Sequence, residues 1–183
     1  MNLLFSAALL PQTFHRQINP IPFIMDGVEL QTPFLGGFNK PNPQFLDWDN
    51  DGLVDLFVRD QDGRLQYFYN TGSASEPAFE LQTKAFQGLD VGQWFCFFDY
   101  DHDGDIDLMA GPQSPNISLF ENVGDSLFLA VSTLLDDSSV AVYGGQIVIP
   151  AVADINGDGW EDLFVGGMSG SLTYYRNLGL TDG

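Results

Sequence analysis

The chemistry of this chain is concentrated in three nine-residue windows. They read Asp47-x-Asp49-x-Asp51-Gly52-Leu53-x-Asp55, Asp99-x-Asp101-x-Asp103-Gly104-Asp105-x-Asp107 and Asp154-x-Asn156-x-Asp158-Gly159-Trp160-x-Asp162. Positions 1, 3, 5 and 9 carry side-chain oxygens in every copy, and position 6 is glycine. Carboxylates this close repel one another, so a chain that gathers them calls for a cation. Oxygens at alternating positions, with a glycine that permits a sharp turn, suit a hard ion taking six or seven oxygen ligands, position 7 adding a backbone carbonyl. Ca²⁺ fits so flexible a cage better than Mg²⁺, which demands a tight octahedron and keeps its waters. The lack of paired His or Cys disfavours zinc and copper. An EF-hand would need a bidentate Glu at position 12. That position is held by Val58, Ala110 and Val165, each inside an apolar run.

Composition points the same way. Six Lys and Arg stand against 25 Asp and Glu, for a formal charge of -19, which excludes the basic footprint of a nucleic-acid binder and argues against docking on anionic lipid. Thirteen of the 25 acids lie in the three windows, which a merely solubilising surface would not require. No segment approaches the roughly 20 apolar residues of a membrane span. Cys96 is the single cysteine, so no intrachain disulfide forms. The run LLFSAALL near the N-terminus looks like a signal-peptide core without its basic flank; an edge strand or the start of a longer chain are the other readings.

The windows begin at Asp47, Asp99 and Asp154, offsets of 52 and 55. Each is followed by a second marker, YFYNTG, LFENVG or YYRNLG, whose Asn70, Asn122 and Asn177 lie 23 residues after the first Asp. Two features sharing one register define a repeat. Each repeat divides into short strands: PQFLD, FCFFD or IPAVAD runs into the window, and DLFV, DLMA or DLFV leaves it. A Gly-, Ser- or Pro-bearing turn then leads to an alternating strand. There Leu65 and Tyr67, Ile117 and Leu119, and Leu172 and Tyr174 share one face, with Phe68, Phe120 and Tyr175 on the other. The first strand, apolar on both faces, is expected to be covered on both sides. AFELQT and LFLAVS supply a fourth strand to the first two repeats. The third repeat lacks one, but VELQT at 28–32 shares ELQT with Glu80–Thr83, 51 residues away, so an outer strand near 28–34 is expected to complete the last repeat, in cis or from another chain.

The pattern D-x-D/N-x-D-G-x-x-D-L entering a strand, followed by an aromatic strand ending in N-x-G, resembles the FG-GAP or VCBS-type calcium-binding repeats of integrin α-subunit propellers and many secreted bacterial proteins. It covers roughly residues 28–183. The resemblance implies an all-β fold of propeller-type blades, four antiparallel strands each and about three in number. It implies about three Ca²⁺ ions, held by Asp47, Asp49, Asp51 and Asp55, by Asp99, Asp101, Asp103 and Asp107, and by Asp154, Asn156, Asp158 and Asp162. Leu53, Asp105 and Trp160 would offer carbonyls. Asn156 removes one formal charge, so the third loop is expected to bind more weakly. The domain reading is an N-terminal extension or edge segment at 1–26 and a three-repeat domain at 27–183, with repeats near 43–86, 94–135 and 148–183.

Propellers usually close with four to eight blades. Three blades imply a longer parent chain, a strained monomer, a two-chain closure into a six-bladed ring, or a head-to-tail filament. The favoured function is a non-catalytic calcium-binding module of a secreted or cell-surface protein, used in adhesion, recognition or assembly. A structural subunit of an extracellular filament or surface complex built by strand exchange, and a fragment of a propeller enzyme, are the alternatives. Expected partners are calcium and a protein or glycan ligand, or further copies of the chain. No catalytic residue or organic cofactor is expected: His15 is unassigned and His102, at position 4 of its loop, is expected to face solvent. Trp48, Tyr100 and Trp160 either pack or form a ligand rim. The tripeptide at Asn116 reads as a turn rather than a glycosylation acceptor.

Overall fold

The computed structural model describes residues 23–29, 37–111, 116–123, 128–142, 149–167 and 169–179. The chain forms two units, Met1–Gly36 and Gly37–Gly183. In the first, β1 (Ile24–Met25) pairs antiparallel with β2 (Val28–Glu29). Asp26 and Gly27 make the turn at φ of 52° and 80°, the left-handed pair that a two-residue hairpin needs. Of the expected outer strand at 28–34, Val28–Glu29 form β2, paired with β1, and residues 30–34 lie outside the described residues.

The second unit is a series of antiparallel meanders. The first sheet runs β3 (Asn42–Leu46), β4 (Asp55–Arg59), β5 (Leu65–Asn70) and β6 (Phe79–Thr83). The second runs β7 (Phe95–Phe98), β8 (Asp107–Ala110), β9 (Ser118–Asn122) and β10 (Phe128–Thr133). Among the described residues the third has three strands, β11 (Ile149–Ala153), β12 (Asp162–Gly166) and β13 (Leu172–Tyr175). Among the described residues no sheet closes on itself. The chain is therefore all-β with small antiparallel sheets of the propeller-blade type, and each acidic window joins the first two strands of its blade. Among the described residues no helix is long and apolar enough to cross a membrane.

Strand alternation decides how the blades stack. Phe57 and Leu65, on one face of the first blade, pack with Phe95, Leu108, Ala110 and Phe120 of the second. On the opposite face of the second blade, Met109 and Ile117 pack with Leu163 and Val165 of the third. Successive residues of β8 therefore enter different cores, Leu108 and Ala110 one and Met109 the other, which is why all three are buried. The connectors plug the gaps: Phe86 and Val91 join the first core, Val142 the second. Gln44 of β3 adds a polar tie, its amide nitrogen donating to the Phe95 carbonyl and its oxygen accepting from the Phe97 N–H.

Burial on both sides falls to the second strand of a blade rather than to the first, as the sequence suggested. In β3 the exposed Phe45 alternates with half-buried Gln44, because β3 borders only one neighbouring blade. The first core is dense in aromatic rings. Phe57 lies 4.8 Å from Tyr67, 4.8 Å from Phe97, 5.1 Å from Phe86 and 5.8 Å from Trp48, centroid to centroid. Edge and offset contacts of this kind add about 0.5–1.5 kcal/mol per pair beyond area burial. Replacing Phe57 by Ala should lower stability by about 3–5 kcal/mol in urea unfolding. Val54→Ala, at an exposed site, should stay within about 0.5 kcal/mol of wild type.

Candidate metal centres

Each loop is built around its first aspartate. In the first, Asp47 accepts from the Asp51 N–H through Oδ1 (3.1 Å) and from the Gly52 N–H through Oδ2 (3.0 Å). Gly104 N–H bonds Asp99 Oδ2 at 3.1 Å and Gly159 N–H bonds Asp154 Oδ2 at 3.0 Å. The turn that brings these amides round needs two left-handed residues. Position 6 is one, with φ of 89°, 98° and 91° at Gly52, Gly104 and Gly159. Position 4 is the other: Asn50, His102 and Gly157 lie at 58°, 60° and 75°. The position 5 carboxylates accept from the N–H of Leu53, Asp105 and Trp160, which fixes the peptides whose carbonyls the loop would present.

Position 9 has a different part. Asp55, Asp107 and Asp162 are about 1% exposed or less. Each accepts through Oδ1 from the backbone N–H of the marker asparagine: Asn70 at 2.8 Å, Asn122 at 2.8 Å and Asn177 at 2.9 Å. The asparagine side chain returns the tie, donating to the carbonyl of the residue just before the aspartate, Val54, Ile106 or Glu161. Asn70 Oδ1 also accepts from the Gly72 and Ala78 N–H groups, holding the next turn. The sequence reading recorded these asparagines as a repeat marker and missed their role; the constant spacing from Asp to Asn was the signal.

Among the described residues, carboxylate oxygens of Asp47, Asp49 and Asp51 converge within 4.8 Å, as do those of Asp99, Asp101 and Asp107. Two ligands on opposite sides of a calcium stand about 4.6–5.2 Å apart, so both groups match the ion's span. Asp99 supplies the sharper observation, because its Oδ1 is buried and has no hydrogen-bond partner. An unpaired buried carboxylate oxygen is costly and a cation would satisfy it. Burial holds the Asp107 carboxyl above its usual range, with Asp101 and Asp103 adding to that effect while the Asn122 and Tyr100 N–H groups oppose it. Asp49 is likewise raised, by burial and by its acidic neighbours. These residues fit a hard cation.

The loops are not equivalent. Tyr67 and Tyr69 donate their hydroxyls to Asp55 (2.8 Å) and Asp51 (3.0 Å) in the first. The second has Leu119 and Glu121 at those register positions, so it gains no donor and one more acid. In the third, Tyr174 donates to Asp162 at 2.9 Å and Arg176 pairs with Asp158 at 3.0 Å. Burial acts to raise Asp162, but bonds from Asn177 N–H, the Tyr174 hydroxyl and Ile155 N–H outweigh it and leave the carboxyl below its usual range. Asn156 turns its amide nitrogen toward Asp162, 3.1 Å from Oδ2, while its oxygen accepts from the Asp158 N–H. Its oxygen accepts the same N–H bond as Asp49 and Asp101 do in their loops, but its amide nitrogen adds a donor to Asp162 that an aspartate would not supply. The third loop thus balances its charge internally to an extent the second does not.

His102 does more than face solvent. Its ring stacks on Trp160 at 4.0 Å and 17°, and Nε2 lies 3.0 Å from Glu161 Oε2, so the second loop is clasped to the third. Trp160 is seated against Gly179, where a Cβ would come within 2.8 Å of the indole. Trp48 packs on Phe57 and Phe86. Both tryptophans are packing residues; Tyr100 remains exposed.

Asn70→Ala should cost about 1–3 kcal/mol in urea unfolding even in EDTA, because it strands a half-buried carbonyl and two half-buried N–H groups with no ion involved. An effect seen only with metal present would refute that structural role. The FG-GAP-like repeat family matches residues 47–110 and again residues 99–165. No curated protein and no solved structure gave a match. Two overlapping matches, each running from one acidic loop through the next blade's second strand, cover more than half of the chain, and the chain belongs to the FG-GAP-like repeat family.

Proposed function

We propose that the chain is a non-catalytic, calcium-stabilised propeller-type module that works outside the cell or at its surface in adhesion, recognition or assembly. The observation that carries the reading is the convergence of the Asp47 and Asp99 loop carboxylates, with Asp99 Oδ1 buried and unpaired. Asp47, Asp49, Asp51 and Asp55, Asp99, Asp101, Asp103 and Asp107, and Asp154, Asn156, Asp158 and Asp162 hold about three Ca²⁺ ions, aided by the carbonyls of Leu53, Asp105 and Trp160. Extracellular calcium is roughly millimolar, the range to which weak extracellular sites are tuned. Ion binding then becomes folding energy, about 1.4 kcal/mol per site at about tenfold over Kd.

A cavity of ≈570 Å³ between the second and third blades supports a recognition role. Phe98, Tyr100, Leu134 and Tyr175 line it, with Asp136 and Glu161 among its acids. Aromatic faces beside carboxylates suit a glycan or a protein side chain.

Thermal unfolding in EDTA, then with millimolar Ca²⁺ or Mg²⁺ restored, tests the metal assignment. The expected result is a Ca²⁺-selective rise in Tm, with calorimetric titration resolving a weaker site that Asn156→Asp strengthens and Asp154→Ala removes. Indifference to EDTA would refute it.

A further inference from the structure

The second and third loops touch through side chains, and the contact falls on groups that each loop would use to hold an ion. His102 occupies position 4 of the second loop at φ of 60°, between Asp101 and Asp103, and the Asp103 N–H closes the turn onto Asp101 Oδ1 at 3.2 Å. Its backbone therefore moves with two of that loop's carboxylates. Its ring lies on Trp160, position 7 of the third loop, 4.0 Å away and 17° from parallel, and Nε2 meets Glu161 Oε2 at 3.0 Å. Trp160 thus has two supports, the imidazole and the close approach of Gly179. The rest of the third loop is open: residues 153–159 are all exposed, and glycine stands at positions 4 and 6, so ordering it around an ion costs backbone entropy. In the first pair of loops Asn50 and Asp105 hold the corresponding positions, and neither carries a ring to stack.

We propose that His102 is a positioning residue for the third cation site and links it to the second, given the calcium reading of both loops proposed above. With an ion in the second loop, Asp101 and Asp103 are drawn to one point, the turn at His102 is fixed, and the ring is held on Trp160. The Trp160 carbonyl, a ligand of the third site, is then in place before that site fills, and part of the ordering cost has already been met. Linkage of this kind is reciprocal, so filling the third loop tightens the second by the same factor. Charge alone predicts the opposite sign, because two bound cations repel each other. An aromatic stack supports a linkage of about three- to tenfold.

Calcium titration of the full chain, followed through the backbone amide NMR resonances of Gly52, Gly104 and Gly159, reads each loop by the glycine at its position 6. Asp101→Ala, which removes a ligand of the second site, should raise the Gly159 midpoint by that factor and leave the Gly52 midpoint in place. In a His102→Asn background the same substitution should no longer move Gly159; Asn suits the turn, since Asn50 adopts φ of 58° at that position of the first loop. Asp154→Ala, read at Gly104, should show the same factor in reverse, and it keeps the linkage testable if Asp101→Ala does not fold. A Gly159 midpoint indifferent to Asp101→Ala, or a shift that persists in the His102→Asn background, would overturn the linkage and leave the calcium reading standing. Three glycines that all ignore calcium would overturn the calcium reading itself, and the linkage with it.

Discussion

A buried aspartate tied to a backbone amide 15 residues later is the contact on which each blade depends. Asp55, Asp107 and Asp162 sit where the acidic loop becomes the second strand; Asn70 and Asn122 end the third, and Asn177 lies two residues past it. A hydrogen bond to a buried carboxylate is worth about 1.5–3 kcal/mol, and losing the partner costs the desolvation of the charge. In the first blade Asp47 closes the loop, Asp55 the hairpin and Asn70 the following turn, so the three features are fastened in sequence. Whatever a cation adds at the loop mouth is added to a hairpin already fastened at its base.

Stacking follows from that geometry. Once the second and third strands are locked in register, their alternate side chains face opposite blades, and a blade cannot bury both faces without two neighbours. The central blade has them, and its β8 is buried throughout. On the other two blades the described residues differ in cover: Leu172 and Phe45 lie open, while Val58, Phe68 and Leu81 on the face of Phe45 are buried. Repeat proteins in general depend on stacking in this way, since each unit contacts only its neighbours.

Within a common backbone the loops differ in charge balance. Tyrosine hydroxyls in the first, an arginine and an asparagine amide in the third, and an additional acid in the second give three different surroundings to nearly one set of aspartates. The second loop has the largest unmet electrostatic demand, as the partnerless Asp99 oxygen and the raised Asp107 show. It is also the one clasped by His102 to its neighbour, so ordering of the second loop bears directly on the third.

The repeat, its strands and the acidic windows were legible in the sequence because each is local: ligand spacing, strand alternation and turn glycines act over fewer than about ten residues. The order of strands within a blade followed, since short turns join antiparallel neighbours. Tertiary structure decided what depends on residues far apart. That Asn70 answers Asp55, that His102 caps Trp160 rather than pointing to water, and that Leu172 is open where Leu65 is buried cannot be read from side-chain type, as two leucines at one register position with opposite exposure show. Burial and pairing are properties of what lies opposite, and the sequence specifies that only through the fold.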